Sequence, residues 1–310
     1  MTNEEILESI NNGSAQKQNI VSILLLVISA VLFVGLGGFR WSINYVLMLA
    51  VAIFIHEFGH LLAMRLFKYK NLKMLFLPFL GGMAMGDPDE HDALKIAVIS
   101  LFGPLTGLVS AYVALWIGTD TGIHEFYYYA YLALLLNALN LLPVLPLDGG
   151  HYLNEAVLSR SPFAELVFKL IAVVCLIFFA VKLQSFVFGI LAYFMLIVIK
   201  PQYALSRAIK DLRADQFVKG DRLDIDRVDR IRARLALTNP ILNERRSKRM
   251  LPNAINNAWN GINKKFPSVA ASFTLVSVYL VILFIVVPVS FVVVVEASKS
   301  AGVDWSRVAG

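Results

Sequence analysis

Charge is scarce in this chain. Asp, Glu, Lys and Arg make up 16% of its 310 residues, against about 25% in a soluble globular domain. Hydrophobic residues take 58% of positions and the mean hydropathy is +0.68. These values exclude an ordinary soluble protein and place the bulk of the chain in lipid. Cysteine is almost absent: Cys175 stands alone in the apolar run Val173-Val174-Cys175-Leu176-Ile177. One cysteine makes no intrachain disulfide, and this one reads as a small apolar residue, not a nucleophile. A basic start is also missing. Glu4, Glu5 and Glu8 precede a polar stretch to Gln18, which is not the pattern of a secretory signal. The first apolar run, from Ile20, is therefore expected to stay attached. No internal repeat or appended module is recognisable, and no nucleic-acid partner is expected.

What the chain has is apolar runs of spanning length. A membrane helix needs about 20 such residues, and seven stretches qualify: 20–38, 43–65, 94–118, 127–146, 163–181, 184–199 and 272–295. The fifth and sixth meet at Lys182-Leu183-Gln184, which suits a tight hairpin. The expected fold is an all-α polytopic membrane protein of about six to seven transmembrane helices. Residues 72–86 are apolar but too short and too broken by Gly and Pro to span. Irregular backbone at membrane depth is tolerated only inside protein or beside water, so this stretch is expected to be a re-entrant loop or β-hairpin near the site.

Segment 200–265 is the one long polar stretch, with sixteen Lys/Arg against seven Asp/Glu. It reads as a small subdomain or helical linker that lies against anionic headgroups or a partner, or simply as a topology signal. Lys17, Arg65, Lys68, Lys70, Lys73, Lys95 and Arg160 fall on the same side as this segment, and only Arg40, Lys182, Lys299 and Arg307 on the other. The positive-inside rule then puts the N-terminus and 200–265 in the cytoplasm. The expected organisation is a tail at 1–19, a membrane domain at 20–199, the basic segment 200–265, and a last helix with its tail at 266–310.

Within the second apolar run stands His56-Glu57-Phe58-Gly59-His60. Positions i and i+4 share a helix face, so both imidazoles can reach one metal ion with a glutamate beside it, the pattern of a zinc site with a general base. Chance is the bland alternative. Three titratable residues in five positions of a lipid-buried helix are costly without a function. His60 lies five residues before Arg65, about 7–8 Å along the axis, so the site is expected near the cytoplasmic face.

A catalytic zinc takes three protein ligands and a water. His91 sits in a polar loop, His124 falls near the outer face, and His151 follows a Gly-Gly turn. Asp148 is the better third ligand. It ends the segment Asn140-Leu141-Leu142-Pro143-Val144-Leu145-Pro146-Leu147-Asp148-Gly149-Gly150, where prolines break the helix and glycines permit a tight turn. The bland alternative for Asp148 is a turn residue at the membrane edge. Glu155, Glu165 and Glu296 are the rival carboxylates, with Glu296 expected too far away.

These residues resemble the site-2 protease family of intramembrane zinc metalloproteases, peptidase family M50. The family pairs HExxH with a later segment running from asparagine through prolines to Leu-Asp-Gly, and has a Gly-Pro motif between them, matched by Phe102-Gly103-Pro104-Leu105. The resemblance covers roughly residues 43–155 and implies a three-helix metalloprotease core. It implies one zinc ion on His56, His60 and Asp148, and Glu57 as base toward zinc-activated water. It further implies substrates that are transmembrane proteins, cut within or near their spans. Asn140 is implied to position substrate or stabilise the oxyanion. The other reading of Asn140, and of Asn137, is a helix–helix hydrogen bond. Where family members often have asparagine shortly after Gly-Pro, this chain has Thr106-Gly107. Strand addition of substrate to 72–86 is expected, and the location expected from family habit is a bacterial plasma membrane. The competing non-enzyme reading is a scaffold or metal-handling protein of the same fold.

Overall fold

The computed structural model describes residues 2–13, 42–77, 81–88, 90–182, 184, 186–215, 217–218, 220, 222–238 and 251–304. The first expected span, 20–38, and residues 78–80 lie outside them. Five described helices are long and apolar enough to cross a membrane, and the chain is an all-α polytopic membrane protein with one small sheet among the described residues. It divides into two compact units.

The unit that carries the HExxH motif contains the described residues of 42–88, 94–157 and 267–304. Helix α2 (Ile43–Leu66) has 24 apolar-dominated residues, about 36 Å at 1.5 Å per residue, enough to span. It ends in a Schellman motif: Tyr69 N–H donates to Met64 O and Lys68 N–H to Arg65 O, with Lys68 at φ 61° where glycine is usual. The chain then forms an antiparallel hairpin, β1 (Lys70–Leu77) and β2 (Gly81–Asp87), in register from Lys70↔Asp87 to Leu77↔Gly81, with an irregularity between Lys70 and Lys73. Of the two forms expected for 72–86, the hairpin is the one found, and it packs on α2.

Helix α3 (Ala93–Thr121) follows, then α4 (His124–Asn140). The expected span 127–146 is thus a shorter helix that begins earlier. Leu142 precedes Pro143, and a residue before proline is driven out of the α region, so helix gives way to an irregular turn over 141–147. Helix α5 (Asp148–Ala156) restarts at the aspartate.

The core of this unit is built of small residues and tyrosines: Ala52, Ala97, Ala111, Ala114, Ala130 and Ala133 beside Tyr127, Tyr128, Tyr152 and Tyr279. Lipid offers no hydrophobic driving force between helices, so close approach of small side chains supplies the packing. The last helix runs from α10 (Val269–Val281) through a π-helical turn (Ile282–Val286) into α11 (Val287–Ser300), which packs on α4.

In the other unit, α6 (Pro162–Lys182) and α7 (Phe186–Ala214) pack together, with Gln184 at φ 48° between them. The polar segment expected as a subdomain or linker is a helical cluster with its own core. The end of α7, α8 (Ile225–Thr238) and α9 (Leu251–Ile262) gather Leu212, Val228, Ile231, Ile255 and Ala258 around Ile6. Ile6 belongs to α1 (Asn3–Gly13). Residues read as a tail therefore form an amphipathic helix, with Ile6, Leu7 and Ile10 facing that core.

Candidate active site

Three side chains from two helices converge. His56 and His60 lie one turn apart on α2, both buried, and Asp148 opens α5. His56 Nε2 is 3.0 Å from Asp148 Oδ2, His60 Nε2 is 3.3 Å from the same oxygen, and the two Nε2 atoms are 3.2 Å apart. Among the described residues these are the group of His, Cys, Asp and Glu able to hold a metal ion.

The outer ring nitrogens are occupied. His56 Nδ1 lies 2.7 Å from Asn137 Oδ1 and His60 Nδ1 lies 2.8 Å from Ile99 O. Both partners accept, so each Nδ1 carries the hydrogen and, in the neutral ring, each Nε2 turns a lone pair toward Asp148. The Asp148 Oδ2 atom is buried with no hydrogen-bond donor. Three electron-rich atoms facing one another out of water need positive charge among them, supplied by protons or by a metal ion. Zinc bonds of about 2.0–2.2 Å at tetrahedral angles place ligand atoms roughly 3.3–3.6 Å apart, and the separations here fall within a few tenths of an ångström of that. The donor set of two imidazoles and one carboxylate fits zinc.

Glu57, also buried, lies within electrostatic reach of all three, with the Ala84 backbone near its carboxylate. The hairpin thus reaches the glutamate directly. A Cβ on Gly82 would overlap Glu57 Cγ, so only glycine lets β2 lie this close.

Glycine serves α3 in the same way. A Cβ at Gly103 would overlap the His60 ring, and one at Gly59 would overlap Thr106 Oγ1 and Phe102 O. The Thr106 hydroxyl lies within hydrogen-bond distance of the carbonyls of Ile55, Phe102 and Gly103, so α2 and α3 meet backbone to backbone beside the histidines. Beside Asp148, a Cβ on Gly149 would overlap the Leu141 carbonyl and one on Gly150 the Val144–Leu145 backbone. The turn before Asp148 is wound against its own helix start.

Asn140 is half-buried and donates from Nδ2 to Leu136 O of its own helix. Asn137, one turn earlier, is the asparagine that touches a histidine. Its sequence signal was a lone amide in an apolar helix, which does not say what it faces. The rival carboxylates are engaged elsewhere: Glu155 accepts from Asn154, Glu165 from Lys169 and Ser206, and Glu296 from Lys299. Neither they nor His91, His124 and His151 join the group.

The model of a family described as peptidase family M50 matches residues 44–122 and 119–181. A protein of Methanocaldococcus jannaschii called a zinc metalloprotease is 33% identical over 150 residues, 46% of this chain and 42% of that protein. Stage IV sporulation protein FB of Bacillus subtilis is 25% identical over 134 residues, 42% of this chain and 46% of that protein. The chain spans less than half the length of these curated relatives.

Proposed function

We propose that this chain is an intramembrane zinc metalloprotease of the site-2 protease type, a reading supported by the match of residues 44–122 and 119–181 to the model of peptidase family M50. His56, His60 and Asp148 are the ligands of one zinc ion, and Glu57 is the general base. The observation that carries this reading is the meeting of His56 Nε2, His60 Nε2 and Asp148 Oδ2 at 3.0–3.3 Å with both Nδ1 hydrogens directed outward.

A zinc ion held there supplies a Lewis acid that brings the ionisation of water to about pH 7 and polarises a peptide carbonyl. Glu57 takes the proton of the attacking water and delivers it to the departing amine nitrogen. The close packing of Gly82 against Glu57 confines that carboxylate. Asn140, whose Nδ2 donates to Leu136 O of its own helix, is the candidate to position substrate or stabilise the oxyanion. Substrates are transmembrane proteins cut within or near their spans. A helical peptide must be unwound to be attacked, and the β1–β2 hairpin, with no third strand among the described residues, offers main-chain groups for an added strand beside Glu57.

The apolar helices make the protein an integral membrane protein. The proposed setting is a bacterial plasma membrane, with the N-terminus and 200–265 cytoplasmic, the site near that face, and the basic segment against anionic lipid.

The test compares membrane proteomes of cells carrying the native protein or Glu57→Gln, together with the zinc content of both purified proteins. The expected result is a membrane protein that accumulates only with the variant while zinc content is unchanged. Unchanged proteomes with zinc still bound would turn the reading toward a scaffold or metal-handling protein.

A further inference from the structure

Asn137 is 0% exposed, in an apolar helix, among residues such as Ala133 and Leu134. An amide buried there costs free energy unless its donors and acceptor are used. Its orientation is determined: Nδ2 donates to Ala133 O at 2.6 Å, which turns Oδ1 toward Nδ1 of His56 at 2.7 Å. A carbonyl oxygen only accepts, so the hydrogen of His56 sits on Nδ1 and the lone pair on Nε2, the atom that faces Asp148. Space for the amide comes from the neighbouring helix, because a Cβ on Gly107 would overlap the Asn137 side chain. The two histidines differ in this respect. His60 is oriented by the backbone carbonyl of Ile99, which any residue at 99 provides, whereas His56 depends on one side chain.

We propose that Asn137 is the positioning residue of the metal centre: it selects the Nε2 tautomer and ring angle of His56, and Gly107 is the gap that admits it. The inference rests on the reading of His56, His60 and Asp148 as zinc ligands. Partners of this kind typically account for 10–100-fold in metal affinity.

The test measures zinc affinity of the full chain in detergent by competition with a chromophoric chelator, alongside thermal unfolding of the metal-stripped protein. Asn137→Leu, similar in size but without an acceptor, is expected to weaken zinc binding 10–100-fold without lowering the metal-free midpoint. Asn137→Asp restores an acceptor and is expected to return the affinity to near native. Native affinity in Asn137→Leu overturns the proposal. So does a loss shared by both variants that tracks a lower metal-free midpoint, since that is the signature of packing alone. If Asn137→Leu does not fold, Gly107→Ala, which displaces the amide without removing it, is expected to lower affinity at least about tenfold, and native affinity there overturns the proposal equally. A native protein that binds zinc no better than a His56→Ala, His60→Ala double variant overturns the metal reading itself.

Discussion

Tyr279, on α10, donates its hydroxyl hydrogen to the Leu141 carbonyl at 2.5 Å, and both residues are 1% exposed. Leu141 begins the turn that ends at Asp148, so a helix remote in sequence holds one end of the turn that carries a proposed ligand. The clamp continues along α5. The Tyr152 ring stacks on Tyr279 at 5.3 Å between centroids, its hydroxyl donates to Leu275 O, and Ser272 donates to Ala156 O.

Tyr279→Phe keeps the stacked ring and removes only the hydroxyl. The Leu141 carbonyl then lacks that donor in a place water does not reach, at an expected cost of about 1–3 kcal/mol. Denaturant titration in mixed micelles checks this. Native stability would mean that another donor replaces Tyr279.

The same substitution should behave oppositely at two glycines. Gly103→Ala drives a methyl group into the His60 ring, and zinc content is expected to fall. Gly189→Ala meets nothing within 4 Å and is expected to be neutral or to stabilise α7 by about 0.5–1 kcal/mol. Metal analysis and thermal unfolding of both variants decide it, and zinc held normally by Gly103→Ala would contradict the close contact with His60.

Metal removal should loosen the junction of α2 with α5, since the proposed ligands come from both. Binding to the folded state alone adds about 4 kcal/mol when free zinc exceeds Kd a thousandfold. Chelator-treated protein is therefore expected to unfold at lower temperature, and Asp148→Ala should match it with or without added zinc. Glu155→Gln and Glu165→Gln should retain native zinc content. An Asp148→Ala variant with unchanged zinc and melting would sink the assignment of that ligand.

Proline within the hairpin separates substrate holding from metal holding. Met83 lies in β2 opposite Leu75, and Met83→Pro removes a main-chain donor. Cleavage of a model transmembrane substrate is expected to drop while zinc content stays native. Full cleavage by this variant would remove the hairpin from substrate binding.

Several of these residues were legible without coordinates because their signals are one-dimensional. The length of an apolar run bounds how many helices span, and the i, i+4 spacing of His56 and His60 puts them on one face of any helix. Asp148 could be matched to them in depth by counting residues. The hairpin could be narrowed to two forms because Gly and Pro at 78–86 rule out a spanning helix. The end of α4 is not legible in this way, since apolar character continues through Leu147 while the residue before Pro143 has already left the helix.

The amino-acid sequence by itself determined that this protein lives in a membrane and that a His-Glu-His face and a lone aspartate lie at similar depth within it. Both follow from local periodicity and from the cost of burying charge. Only the tertiary structure decided the rest. It was the structure that set Asn137 on His56, fitted Gly82 and Gly103 to Glu57 and His60, tied Tyr279 to Leu141 and docked α1 into the polar cluster. Each of these depends on which faces of distant segments come within a few ångströms. Close approach of small residues sets those distances, and a small residue carries no record in the sequence of what it makes room for.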